Sequence, residues 1–88
     1  MKIIAYPPYD ALLGEKELNL ELKGVTLWDL LQALAAKYPA FAQELPEEST
    51  DEALRSRLLP LGPGRVYSVA DVLGNNDIVK LFPPVSGG

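Results

Sequence analysis

The sequence predicts a single small α+β domain in which a sheet packs against one amphipathic helix. Three observations lead to this fold class. Residues 18–22 and residues 78–82 alternate between two faces with the period of two that is typical of strands, and residues 27–38 carry apolar side chains at helical spacing. Because 88 residues lie near the lower limit for one hydrophobic core, we expect one domain.

The composition excludes several classes of function. A content of 48% hydrophobic and 23% charged residues is too apolar for a disordered chain, and no apolar run is long enough to span a membrane. The absence of cysteine and histidine removes disulfides, thiolate nucleophiles, imidazole bases and the usual soft metal ligands. A net charge of −4 argues against binding to nucleic acid. Because the chain begins in an apparent strand, without a secretory signal, we expect it in the cytoplasm.

The first elements are expected to form a hairpin. Residues 2–6 form the first strand candidate, and the two prolines that follow should end its ladder because proline has no N–H group to donate. The alternating leucines of residues 18–22 predict the second strand, with one buried face and one wet face. Gly14 and Glu15 give a turn signal between them, so we predict an antiparallel hairpin with a long connection.

A helix is predicted to follow. Gly24 to Thr26 should break the second strand, and Thr26 with Asp29 three residues later has the pattern of a helix cap. Pro39 should end the helix. The apolar stripe that should pack on the sheet consists of Leu27, Leu30, Leu31, Leu34 and Tyr38.

The middle of the chain, residues 40–64, is predicted to be mostly connection because acidic residues crowd together there and prolines recur. Ser49 and Glu52 form a possible capping box for a short helix over residues 50–58, which would put Arg55 and Arg57 in its last turn. The acidic run over residues 44–52 is either a solvated loop or a docking surface for a basic partner.

Two further strands complete the expected sheet. Arg65–Val69 is the third strand candidate, and residues 70–77 read as a turn-rich link. In the last strand, residues 78–82, Lys80 should face water, which assigns Val79 and Leu81 to the core. Two apolar residues then share the face of Lys80, either as a contact surface or half covered by their neighbours: Ile78 and Phe82.

The end of the chain resembles a known family. Residues 76–88, Asn-Asp-Ile-Val-Lys-Leu-Phe-Pro-Pro-Val-Ser-Gly-Gly, are similar to the C-terminal signature of the MoaD family, the small subunits of molybdopterin synthase. Residues 26–34 also resemble the first helix of that family. The resemblance implies that residues 1–82 form a ubiquitin-like β-grasp domain. This domain would contain a mixed sheet, one main helix and a short second helix. The two prolines after the last strand should keep residues 83–88 extended as a flexible tail.

The resemblance also implies a chemical role. The C-terminal carboxylate of Gly88 would be adenylated with ATP by an enzyme related to ubiquitin-activating enzymes, and a sulfur donor protein would then convert it to a thiocarboxylate. Gly87 shares this site because the tail must be narrow. A MoaE-like large subunit would receive the sulfur for molybdenum or tungsten cofactor synthesis. Its expected contacts are Ile78, Lys80, Phe82, Pro83, Pro84, Val85 and Ser86. We expect no bound cofactor or metal, and no catalysis by the chain alone.

Other readings share part of this pattern. A sulfur carrier for thiamine synthesis or for tRNA thiolation, and a ubiquitin-like protein modifier, would use the same terminal glycines. The stretch Pro83-Pro84-Val85 favours the molybdopterin type, since carriers of the thiamine type usually lack it. A ubiquitin-like interaction module with an inert tail is the alternative from a different class.

Overall fold

The computed structural model describes residues 1–84; Val85, Ser86, Gly87 and Gly88 lie outside the described residues. The elements follow in the order β1 (Lys2–Ala5), α1 (Tyr9–Leu13), β2 (Glu17–Asn19), β3 (Val25–Thr26), α2 (Leu27–Lys37), α3 (Pro39–Ala42), α4 (Asp51–Arg55), β4 (Leu59–Gly62), β5 (Arg65–Val66), β6 (Val72–Leu73) and β7 (Ile78–Phe82). Within residues 1–84, none of the helices has the length and apolar character needed to cross a bilayer.

Five strands form one mixed sheet in the order β2-β1-β7-β4-β5. β1 and β2 pair antiparallel, with Ile3 opposite Leu18, so the predicted hairpin is confirmed, although β2 ends at Asn19 and not at residue 22 as predicted. β1 and β7 pair parallel, and β7 pairs antiparallel with β4. Together with the main helix, this sheet confirms the predicted α+β class and the β-grasp fold that the family resemblance implied.

Helix α2 has the predicted cap and the predicted buried stripe. The Thr26 hydroxyl accepts from the Asp29 N–H at 3.1 Å, and the Asp29 carboxylate accepts from the Thr26 N–H at 3.4 Å. This reciprocal pair satisfies two donors that the first helical turn would leave free. The helix ends at Lys37, so Tyr38 of the predicted stripe is its half-buried C-cap residue, and Pro39 begins α3. The four leucines of the stripe are buried: Leu27, Leu30, Leu31 and Leu34.

Two short helices, α1 and α3, lie where the sequence predicted connections. Each contributes one buried aromatic ring to the core, Tyr9 from α1 and Phe41 from α3, and the two rings meet edge to face at 6.1 Å. The Tyr9 hydroxyl donates to the Arg57 carbonyl at 2.6 Å. Burial, followed by the nearby charge of Glu44, raises the pKa of Tyr9 to about 12. Tyr9 therefore stays neutral and joins α1 to the segment after α4.

The assignment of residues 59–62 to a connection was wrong. They form β4, which lies inside the sheet between β7 and β5 even though Pro60 cannot donate to the ladder. Pro60 still contributes its carbonyl, which accepts from the Tyr67 N–H at 2.8 Å, and its side chain is buried. The third predicted strand, Arg65–Val69, is correspondingly shorter, since β5 ends at Val66.

The other boundaries also differ from the prediction. Helix α4 is shorter than the expected residues 50–58, and its cap is Thr50, whose hydroxyl accepts from the Ala53 N–H, rather than Ser49. β3 and β6 pair with each other, so the expected strand break at residues 24–26 and the expected link at residues 70–77 each contain a short strand. The predicted turn at residues 74–77 is present, with the Asp77 carboxylate accepting from the Gly74 N–H at 2.7 Å.

Asp51 joins α4 to the loop between β5 and β6. Its carboxylate accepts from the Val69 N–H at 2.8 Å and from the Ser68 hydroxyl at 2.9 Å. The Ser68 N–H donates to Asp71, which also forms an ion pair with Arg65. The hydrogen bond from Val69, then that from Ser68, lowers the pKa of Asp51 because both stabilise the charged carboxylate.

The lowered pKa predicts an acid dependence of stability that Asp51→Asn removes. The contribution of Asp51 should be present above the ordinary carboxyl pKa of 3.8 and should be lost as the pH falls through the lower folded value. The free energy of unfolding, measured in denaturant from pH 7 to pH 2, should therefore be higher for the unsubstituted protein than for Asp51→Asn at neutral pH. The two values should converge in acid. The exposed Glu52, changed to Gln, is the matched control. A difference independent of pH would show that the charge of Asp51 does not matter.

Gly62 gives a second prediction because a β-carbon there would lie 2.6 Å from the ring of the buried Tyr67. Gly62→Ala must displace that ring, so we expect a loss of about 1–3 kcal/mol in the free energy of unfolding. Gly74→Ala is the control, because its nearest contact would be at 3.8 Å, and it should cost less than about 0.5 kcal/mol. Equal effects of the two substitutions would mean that the contact with Tyr67 does not constrain position 62.

Candidate functional site

The central strand β7 separates two chemically different faces of the sheet. Val79 and Leu81 are completely buried in the core, as the alternation around Lys80 predicted. Ile78, Lys80 and Phe82 lie on the other face and are each half-buried. The assignment of core and open faces in the last strand is therefore confirmed.

The register of the sheet extends this open face across four strands. Lys80 lies opposite Ile4 on β1 and opposite Leu61 on β4, while Phe82 lies opposite Leu59. Leu61 in turn lies opposite Val66 on β5. We call this surface the outer sheet face, which comprises Ile4, Tyr6, Leu59, Leu61, Val66, Ile78, Lys80 and Phe82. All of these side chains retain exposure, in contrast to the buried side chains of Ile3, Val79 and Leu81 on the inner face.

Phe82 is both covered and exposed. Its ring stacks on that of Tyr6, with the centroids 4.0 Å apart and the planes 15° from parallel. This contact explains why Phe82 is partly buried although it lies on the face of the sheet that points away from the core. The two readings that the sequence left open for Phe82 therefore both apply, since Tyr6 covers part of the ring and the rest contributes to the apolar outer sheet face.

The outer sheet face lies at the base of the C-terminal segment. β7 ends at Phe82, and Pro83 and Pro84 follow it without strand structure, Pro83 exposed and Pro84 half-buried. The predicted contacts of Val85 and Ser86, and the predicted chemistry of Gly87 and Gly88, fall outside the described residues. They stay predictions, as do the partner contacts of Pro83 and Pro84.

The arginines of the predicted short helix and the acidic segment lie outside the outer sheet face. Arg57 lines a surface depression of about 500 Å³ together with Glu47 and Glu48, and Arg55 is exposed at the end of α4. In the acidic segment, Asp51 serves as a structural acceptor for the loop at Ser68, a role that the sequence analysis did not assign. Among residues 1–84, no cluster of acidic side chains has the arrangement of a metal site.

The sequence analysis missed most of the outer sheet face. The missed residues are Ile4, Tyr6, Leu59, Leu61 and Val66. Leu59 and Leu61 alternate around Pro60, a period of two that would have indicated a strand, but Pro60 and Pro63 favoured a loop. Ile4 and Tyr6 lie in a segment whose apolar residues occur on both faces, so their orientation was undetermined until the pairing with β7 was known.

Several solved structures are similar to this chain over nearly its whole length. SAMP1 from Haloferax volcanii is 25% identical over 100% of this chain and 98% of its own, with a TM-score of 0.76. The putative molybdopterin converting factor subunit 1 from Pyrococcus furiosus is 27% identical over 96% and 95%, with a TM-score of 0.77. The small archaeal modifier protein 1 from Methanosarcina acetivorans is 26% identical over 99% and 94%, with a TM-score of 0.75.

No protein-family model and no curated protein sequence matches the chain. The structural matches nevertheless extend over nearly the whole chain and are not limited to residues 26–34 and 76–88, where the sequence resembles the MoaD family. The resemblance to the MoaD/ThiS-like β-grasp fold is thus confirmed.

The two faces of β7 predict different costs of truncation. Leu81→Ala should lower the free energy of unfolding by about 2–5 kcal/mol because it leaves a cavity in the core. Phe82→Ala should lower it by about 1 kcal/mol, mainly through the lost stacking with Tyr6. Denaturant unfolding of both variants checks the difference. If Phe82→Ala costs as much as Leu81→Ala, Phe82 is part of the core and the outer sheet face is not open there.

Proposed function

We propose that this chain, which has the MoaD/ThiS-like β-grasp fold, is a sulfur carrier whose working group is the carboxylate of Gly88. One observation carries the proposal. The central strand β7 ends beside an open apolar face and is followed in sequence by Pro-Pro-Val-Ser-Gly-Gly. The fold therefore places an open apolar face next to the start of a segment whose last residues have no bulky side chain.

A carboxylate must be activated before it can accept sulfur, because its negative charge makes the carbon a poor electrophile. In the proposed reaction, a carboxylate oxygen of Gly88 attacks the α-phosphorus of ATP, and pyrophosphate leaves. A hydrosulfide equivalent from a sulfur donor protein then attacks the carbonyl carbon of the acyl-adenylate, and AMP leaves. The product is a thiocarboxylate at Gly88.

Glycine suits this chemistry for a steric reason. Gly87 and Gly88 lack a β-carbon, so the segment fits a narrow channel and the reacting carbonyl is open to attack. The carrier needs no nucleophile or base of its own, and its lack of cysteine and histidine agrees with a division of labour in which the enzymes that bind it supply these groups.

Two kinds of partner follow from the proposal. An adenylating enzyme related to ubiquitin-activating enzymes would bind the carrier first. A MoaE-like large subunit would then receive the sulfur and transfer it to a pterin precursor of the molybdenum or tungsten cofactor. The outer sheet face, with Pro83 and Pro84, is the surface that we assign to both contacts, because apolar side chains beside the reacting segment can fix its direction.

A second candidate is a protein modifier, favoured by the similarity to small archaeal modifier proteins. The first step is the same, since a modifier is also activated as an acyl-adenylate. The second step differs because a lysine amine, directly or through a thioester, takes the activated glycine and forms an amide. Sulfur carriage for thiamine synthesis or tRNA thiolation differs only in the acceptor, whereas an inert interaction module would undergo neither step.

We predict that the chain ending in a free Gly88 forms an acyl-adenylate when it is incubated with ATP and the adenylating enzyme of its own organism. Adenylate formation is measured as exchange of labelled pyrophosphate into ATP. Adding a short peptide after Gly88 should abolish exchange because the carboxylate is then an amide. The same peptide added before Met1 is the control, and exchange that persists with the C-terminal extension contradicts the mechanism.

Mass spectrometry of the protein from its own cells distinguishes the two candidates. A carrier gains about 16 mass units as sulfur replaces oxygen, whereas a modifier leaves a branched peptide on lysine residues of other proteins. Finding neither product in cells that express the chain would favour the inert interaction module.

A further inference from the structure

The three cations on the five-stranded sheet are not equivalent. Lys2 on β1 forms a salt bridge with Glu17 on β2, with the ammonium nitrogen 2.9 Å from the carboxylate. Arg65 on β5 forms an ion pair with Asp71. Lys80 on the central strand makes no salt bridge and no side-chain hydrogen bond with any residue from 1 to 84. Among the described residues, the cations on β1 and β5 are thus each paired with a carboxylate, and Lys80 on β7 is not.

The residues that surround Lys80 on the outer sheet face are apolar. Ile4 and Leu61 lie directly opposite it on the two adjacent strands. Ile78 and Phe82 lie two residues before and after it on the same face of β7. Lys80 therefore lies among four apolar residues on this face, all of which keep some exposure. In the free protein, its long side chain lets the charge reach water.

Binding of a partner to the outer sheet face would remove the contact of the Lys80 charge with water. A partner that covers the surrounding apolar side chains also removes water from Lys80, and an unpaired ammonium that has lost its water is strongly unfavourable. The cost is avoided when the partner supplies an anionic oxygen within hydrogen-bonding distance. The overall charge of −4 would repel an acidic partner at long range, so this pairing must be a local contact.

We propose that the partner surface for the outer sheet face is an apolar patch that contains one carboxylate, which pairs with Lys80 in the complex. This inference rests on the proposed function and assigns the contact to the adenylating enzyme. Lys80 then determines specificity, because a patch without the carboxylate would leave the ammonium unpaired and a patch with a cation would repel it.

Lys80→Met tests the idea because methionine keeps the unbranched shape and removes the charge. With a carboxylate opposite, the substitution leaves that carboxylate buried and unpaired, and the KM for the carrier in pyrophosphate exchange should rise about tenfold or more while kcat changes little. With a purely apolar surface opposite, methionine should bind equally well or better, which would overturn the inference.

Two further variants and a control sharpen the result. Lys80→Arg should retain most of the affinity, and Lys80→Glu should raise KM more than Lys80→Met because like charges then face each other. Lys23→Met, at an exposed lysine outside the outer sheet face, changes the net charge equally and should leave KM unchanged. An equal rise for Lys23→Met would mean that overall charge, and not a local pair, is responsible.

Rescue identifies the partner's residue. Changing the candidate acidic residues of the adenylating enzyme to lysine, one at a time, should find one substitution that restores the activity of Lys80→Glu. Failure of every such variant to restore it would overturn the pairing. Unfolding measurements on each carrier variant separate lost binding from lost folding. If the unsubstituted chain is never adenylated, the proposed function fails and this inference fails with it, whereas normal adenylation with an unchanged KM for Lys80→Met overturns only the inference.

Discussion

The structure depends on the position of β7 at the centre of the sheet. This last strand pairs parallel with the first strand and antiparallel with β4, so it joins the N-terminal hairpin to the C-terminal half of the chain. Val79 and Leu81 reach from it into the core, where the leucines of α2 are also buried. A strand held on both sides and packed from one face has a fixed direction. Its end at Phe82 therefore fixes where the following segment begins.

The same strand separates the hydrophobic core from the open face of the sheet. Residues at odd positions of β7 belong to the core, and residues at even positions belong to the outer sheet face. A substitution on one face can therefore change folding with little effect on the surface, and a substitution on the other can change the surface with little effect on folding. This separation leaves the side chains of the outer sheet face largely free of the constraints of core packing.

Polar contacts fix the segments in which the hydrophobic pattern is weak. The carboxylate of Asp51 binds the loop at Ser68 and Val69, and the hydroxyl of Tyr9 binds the carbonyl of Arg57. Both contacts join elements that are far apart in sequence, and both involve the region after α3 that contains little regular structure. At the β4–β5 edge of the sheet, the ring of Tyr67 packs directly against Gly62, which is an apolar contact. The irregular middle of the chain is thus held by side chains that the rest of the fold positions.

The sequence by itself determined the elements whose signals are local. The cap formed by Thr26 and Asp29, the leucine stripe of α2 and the alternation of residues 78–82 each depend on neighbours within a few positions, and the structure agrees with all three. The terminal glycines, and the likeness of their context to the MoaD family, also came from the sequence alone.

Only the tertiary structure decided the remainder, because its causes are not local. β4 is a strand because β7 and β5 provide hydrogen-bonding partners that outweigh the poor strand propensity of Pro60. α1 and α3 are too short to be stable alone and exist because Tyr9 and Phe41 pack in the core. The outer sheet face consists of side chains from four strands that are distant in sequence, so its composition, and the isolation of Lys80 within it, follow from register rather than from any local pattern.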